Sequence, residues 1–146
     1  MSGAEATAPL NIHASAVALN PDCGVLILGP SGAGKSALAL ELMAFGARLV
    51  ADDRVDLHVL EGGLMASGPT AIAGQIEARG IGILAAEALP SAQIVLAVDL
   101  SQEETERLPP ARQIEIGGVV IPLVLRLRSG HAAAGILQYL KAGRVA

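Results

Sequence analysis

Gly29-Pro30-Ser31-Gly32-Ala33-Gly34-Lys35-Ser36 is the stretch on which the fold of this 146-residue chain turns. It fits G-x-x-x-x-G-K-[ST] at each fixed position. The apolar run Val25-Leu26-Ile27-Leu28 before it reads as a buried strand, and Ser36 to Phe45, rich in Ala and Leu, reads as a helix. Strand, glycine-rich loop and helix in that order are a P-loop. The glycines let the backbone wrap closely around a polyphosphate. Consecutive N–H groups and the helix N-terminus then face the anion. Lys35 is expected to reach the β- and γ-phosphates and the Ser36 hydroxyl to bind Mg²⁺. A plain Gly/Ser turn would leave the order of Lys35 and Ser36 at the helix start unexplained.

Outward from this loop, composition sets limits. The length points to one domain able to bury a real core. Hydrophobic residues make up 52%, yet only Phe45 and Tyr139 are aromatic. The core is therefore expected to be aliphatic, as in strands covered by helices. A net charge of −4 offers no broad basic surface, which argues against nucleic acid as a partner. Cys23 is the single cysteine, so an internal disulfide is excluded, and it reads as a small core residue at a strand start. No signal peptide or twenty-residue apolar span occurs, so the expectation is a soluble cytoplasmic protein with no membrane partner.

Residues 1–10 are expected to be disordered and 11–146 to form a single P-loop kinase catalytic domain. Ile12 to Leu19 reads as a strand, and Asn20-Pro21-Asp22 as the turn of a hairpin with the P-loop strand. Gly46 is placed to end the helix. Arg48 to Ala51 reads as a short strand ending at Asp52-Asp53. Val55–Leu60 and Leu64–Ala66 flank a hairpin turn at Glu61-Gly62-Gly63. Gly68-Pro69 marks a loop, and Ile81–Leu84 and Ile94–Leu100 are apolar runs. Ser101 to Leu108 reads as a short helix, with Ser101 and Glu104 as its capping box and Pro109-Pro110 as its stop. Ile114–Ile116 and Val119–Leu127 are strand-like, and His131–Ala142 reads as a C-terminal helix. Many strands and few helices predict an α/β nucleotide-binding domain with a mixed sheet.

A P-loop needs an acidic partner for Mg²⁺ or for the attacking group. Asp52 and Asp53 follow a strand that is one helix away from the loop, and such strands lie close in the sheet. Adjacent side chains point apart. One carboxylate can thus face the metal and the other an acceptor hydroxyl. Glu77 lies beside Arg79-Gly80-Ile81-Gly82, where it could complete a Mg²⁺ shell, although alone this segment reads as a surface loop entering a strand. His13 falls in the strand paired with the P-loop strand. His58 and His131 receive no role. Arg79, Arg107, Arg126 and Arg128 are all candidates to stabilise a transferring phosphoryl group, and spacing does not choose among them.

These segments together resemble the catalytic domain of the bacterial HPr kinase/phosphorylase family. The resemblance runs from about His13 to Gly130. It rests on Gly29–Ser36, Glu41-Leu42, Gly46, Arg48-Leu49-Val50-Ala51-Asp52-Asp53-Arg54-Val55, and Ile76-Glu77-Ala78-Arg79-Gly80-Ile81-Gly82-Ile83. It implies a fold related to phosphoenolpyruvate carboxykinase and ATP- and Mg²⁺-dependent phosphorylation of a serine on an HPr-type phosphocarrier protein. It further implies that Lys35 holds the transferring phosphate, that Ser36 and Glu77 hold Mg²⁺, and that Asp53, with Asp52 beside it, accepts the serine proton. His13 and Arg107 are implied as further active-site residues, and a homo-oligomer, a hexamer in full-length members, is implied as the assembly. The family's N-terminal domain has no counterpart in this chain. Where members read Pro-Val-(Lys/Arg)-x-Gly-Arg-Asn, a segment tied to dephosphorylation, this chain reads Arg126-Leu127-Arg128-Ser129-Gly130-His131. The resemblance therefore carries the kinase direction further than the phosphorylase direction. Two rivals remain: a small-metabolite P-loop kinase, which would need a lid or substrate domain, and a nucleotide-sensing module without turnover.

Overall fold

The computed structural model describes residues 10–69, 73–128 and 130–146. Strand β1 (Leu10–Asn20) turns at Pro21-Asp22 and returns antiparallel as β2 (Cys23–Leu28), the expected hairpin. The Asn20 side-chain oxygen accepts the Asp22 N–H at 2.9 Å, a local bond that favours a turn at this sequence. After the glycine-rich loop come α1 (Lys35–Ala44) and β3 (Arg48–Ala51). The hairpin β4 (Arg54–Leu60) and β5 (Gly63–Ser67) follows, and then a separate two-stranded ribbon, β6 (Gln75–Ala78) and β7 (Gly82–Ala85). The long β8 (Ser91–Glu103), the hairpin β9 (Arg112–Ile116) and β10 (Val119–Arg126), and α2 (Ala132–Ala142) complete the chain.

The main sheet runs β2-β1-β4-β5-β8-β10-β9, with β3 beside β1. It is mixed: β2 and β10 lie parallel to β8, while β1 pairs antiparallel with β2, β3 and β4. Because β2 also pairs with β8, the path from β2 through β1, β4 and β5 to β8 closes on itself. Alternation along the strands divides the apolar side chains between two cores. Ala14, Ala16, Leu26, Leu57, Ala66, Ala92 and Ala97 pack together inside the closed strands, where small alanines let the walls approach. Val17, Val25, Ile27, Leu96 and Val98 point the other way, onto Leu38 and Leu42 of α1 and Ile136 of α2. Both cores are aliphatic, as expected. Phe45 is exposed and Tyr139 packs only at the edge.

Helix α1 stops where the sequence places its glycine. Gly46 takes φ 111°, its N–H donates to Met43 O, and the Ala47 N–H reaches back to Leu42 O. These paired bonds satisfy the last carbonyls, and only glycine enters that backbone region at little cost.

Two expectations are corrected. Leu10 was placed in the disordered stretch 1–10, yet it opens β1 and pairs with Leu57, while residues 1–9 lie outside the described residues. The helix over Ser101–Leu108 is absent. Strand β8 continues to Glu103, which pairs with Arg126, and the Glu104 N–H donates to Arg126 O. The carboxylate intended for a capping box instead grips Arg112 of β9 through bonds of 2.8 and 2.9 Å. Tertiary pairing with β9 and β10 thus overrides a local helix signal. The Arg112 guanidinium, against the opposing effect of burial and with help from the Glu106 and Thr105 amides, brings the Glu104 carboxyl down to about 2.

Candidate active site

One cleft of about 390 Å³ opens where α1 begins. Its floor and walls come from the loop and first turn (Ser31, Gly32, Gly34, Lys35, Ser36), from β1 (Ser15), from the end of β3 (Asp53), and from the β6–β7 ribbon (Glu77, Arg79, Ile81). Gly34 stands at the helix N-cap with φ 100°, and a Cβ built on it would meet no atom within 4 Å. The loop therefore presents open backbone to the cleft at the helix N-terminus, where the dipole favours an anion.

Lys35 is buried, and its Nζ donates to the carbonyls of Gly29 at 2.8 Å and Pro30 at 3.2 Å. The ammonium is thus folded onto the loop that it closes. Arg126, at the end of β10, donates to the carbonyls of Ala33 and Leu100 and so ties the loop to the sheet.

The two aspartates lie just past the end of β3, in a bend where the left-handed backbone of Asp53 separates their side chains. Asp52 turns toward α1. Its Oδ1 accepts the Ser36 hydroxyl at 2.7 Å and the Ser15 hydroxyl at 2.8 Å, and its Oδ2 accepts the Glu77 N–H at 3.3 Å. Asp53 turns the other way, into a tight turn closed by the Arg54 N–H on Asp52 O at 2.8 Å. It takes φ 71°, a left-handed conformation that aspartate tolerates better than most residues. Its exposed carboxylate lies 3.6 Å from His13 Nδ1, across the β1–β4 register at His13–Arg54.

Glu77 is on a strand, not in a surface loop, and its backbone pairs with Ile83. That ribbon brings the carboxylate to the cleft from outside the main sheet, so Ser36, Asp52 and Glu77 converge from three elements. Hydroxyl and carboxylate oxygens suit a hard cation. Among the described residues, no cluster of three or more His, Cys, Asp or Glu forms a metal cage. A cation here would have to share its shell with a ligand.

The structure brings His13, Lys35, Ser36, Asp52, Asp53 and Glu77 together. It does not bring Arg107, which is exposed in a bend after β8 and is not part of the cleft lining. Arg79 and Arg126 are the nearby arginines instead. Of the segment Arg126–His131, Ser129 lies outside the described residues. Sequence reasoning missed Ser15. Its signal was a hydroxyl set in the apolar run Ala14-Ser15-Ala16-Val17, beside a strand that ends in two acids.

Residues 5–140 match the family described as HPr Serine kinase C-terminal domain. A Clostridium tetani protein named HPr kinase/phosphorylase is 48% identical over 75 residues, 51% of this chain and 25% of the relative. A Streptococcus pneumoniae protein of the same name is 40% identical over 129 residues, 79% of this chain and 42% of the relative. The chain thus spans less than half the length of either relative. Among solved structures, the Hpr(Ser) kinase/phosphatase from Coxiella burnetii superposes with a TM-score of 0.73 at 26% identity, covering 90% of this chain and 88% of that one.

Proposed function

The chain belongs to the HPr serine kinase C-terminal domain family, and on that premise we propose that it is an ATP- and Mg²⁺-dependent kinase for a serine on an HPr-type phosphocarrier protein. The observation that carries this reading is the division of labour between two adjacent acids. Asp52 is bound to the first-turn hydroxyl of Ser36, while Asp53 holds an exposed carboxylate, beside His13, in the same cleft as Lys35.

The donor set fits a nucleotide with its cation. Mg²⁺ takes one or two carboxylates and leaves the rest of its shell to water and phosphate, which suits Ser36 and Glu77. Bound ATP supplies the phosphoryl group, and the cation neutralises charge on its phosphates. The amides of 32–36 would cradle the phosphates, and the Lys35 ammonium, now on the Gly29 and Pro30 carbonyls, would hold the outermost one. Asp53 accepts the proton of the incoming serine hydroxyl as its oxygen forms the new bond to phosphorus and ADP leaves. His13 steadies the Asp53 carboxylate from 3.6 Å. In the reverse direction Asp53 would return that proton.

Access supports a protein acceptor over a metabolite. Between Asp53 and Glu77 the described residues form a hairpin and a strand, with no helical lid. The cleft lining includes Ile81, 78% exposed, and Ile83 nearby on β7 is 65% exposed, an apolar landing for the surface around an acceptor serine. The test is transfer from γ-labelled ATP, with Mg²⁺, to a purified HPr-type carrier. Label on a carrier serine is expected. Nucleotide binding with no labelled acceptor would favour the sensing module, and label on a small metabolite would favour the other kinase class.

A further inference from the structure

Three polar or charged residues among those described are buried: Lys35, Glu104 and Ser15. Lys35 and Glu104 are accounted for by the loop carbonyls and by Arg112. Ser15 is fully buried in the middle of β1, opposite Ile27 of β2. Two residues along the strand from Val17, it shares the face that packs on α1. An apolar side chain would suit that face, and a hydroxyl there is costly unless bonded. Its Oγ–H goes to Asp52 Oδ1 at 2.8 Å, the same oxygen that accepts from Ser36.

We propose that Ser15 is a positioning residue for the metal–nucleotide site, acting through Asp52 on Ser36. This rests on the reading of the cleft as a Mg²⁺–ATP site. A serine hydroxyl has one proton and two lone pairs. When Ser36 gives its proton to Asp52, its lone pairs are left for a cation. That orientation holds only while the Asp52 carboxylate stays in place, and the terminal torsion of aspartate is soft. Three donors restrain it: Ser36 Oγ, the Glu77 N–H and Ser15 Oγ. Ser36 and Glu77 sit on the elements that must accommodate phosphate and cation. Ser15 belongs to a core strand paired on both sides, by β2 and by β3. It is the anchor that does not move when the site fills.

The test is equilibrium binding of a non-hydrolysable ATP analogue to the full chain, with Mg²⁺ and with EDTA, for wild type, Ser15→Ala and Ser15→Cys. Cysteine fills the place of the hydroxyl with a slightly larger, weakly donating group, so it guards against a cavity in the alanine variant. The wild type is expected to bind more tightly with Mg²⁺. Both variants should lose about tenfold of that gain, the low end of the usual cost of removing a residue that orients a metal ligand, with EDTA affinity unchanged. A full Mg²⁺ gain in the variants would overturn the proposal. So would an equal loss in both media, which marks Ser15 as a packing residue of the loop. If the wild type itself showed no Mg²⁺-dependent gain, the reading of the cleft would fall and Ser15's role with it.

Discussion

Replacing Asp53 by asparagine separates the two acids most cleanly. The side chain is 70% exposed, and its nearest polar partner is His13 Nδ1 at 3.6 Å, on a side chain itself 60% exposed. Losing such a contact costs about 0–1 kcal/mol. Asparagine also accepts the left-handed backbone that Asp53 adopts at φ 71°, so the change adds no strain. Folding and nucleotide binding should therefore stay near wild type. Transfer should not. A positioned general base contributes roughly 10²–10⁴ in rate, which is about 2.7–5.4 kcal/mol of barrier. Asp52→Asn is the contrasting variant. Asp52 accepts three hydrogen bonds, and an amide presents a donor where one of them arrives. Bonds to a charged group contribute about 1.5–3 kcal/mol each, so this variant should lose both stability and Mg²⁺-dependent binding. The assays are labelled transfer, analogue binding and thermal melting on both variants. Transfer retained in Asp53→Asn but lost in Asp52→Asn, with Mg²⁺ binding intact in both, would refute the assignment of the proton acceptor.

Further outcomes follow from the same geometry. Lys35→Ala removes the ammonium proposed to hold the outermost phosphate and should weaken nucleotide binding by about 10–100-fold and abolish transfer, read by titration and by label. Ile81→Ser should raise KM for the carrier with ATP affinity unchanged and stability within about 0.5 kcal/mol, since the side chain is 78% exposed; steady-state kinetics with each substrate varied will show it. Glu104, brought down from 4.5 to about 2 by Arg112, contributes stability that is full above about pH 4.5 and is lost as pH falls toward 2. Glu104→Gln should therefore melt below wild type at pH 7, with the two melting temperatures converging near pH 2.

Much of this was legible from local signals that tertiary structure did not oppose. The strand–loop–helix at 25–45, the Asn20-Pro21-Asp22 hairpin and the Gly46 stop each rest on backbone chemistry within a few residues, and each stands in the fold. The divergence of Asp52 and Asp53 was expected from strand alternation, whereas the structure produces it by a bend with Asp53 at φ 71°. Ser101–Leu108 was misread because its capping pattern is local, while the partners that hold it, Arg112 and Arg126, lie on later strands. Arg107 was carried by a short match without a structural neighbour to anchor it. Ser15 went unseen because a small hydroxyl in an apolar strand gains meaning only when the end of β3 is laid beside it.

The central claim is that the outermost phosphate of a bound triphosphate lies between Lys35 and Asp53. A structure with Mg²⁺ and a non-hydrolysable ATP analogue measures this directly. The prediction is phosphates seated on the amides of 32–36, the γ-phosphorus at the Lys35 ammonium, and the Asp53 carboxylate facing it across room for a serine hydroxyl at about 3–3.5 Å from phosphorus. Phosphates bound away from that loop, or Asp53 turned from the γ-phosphate with the analogue in place, would contradict it.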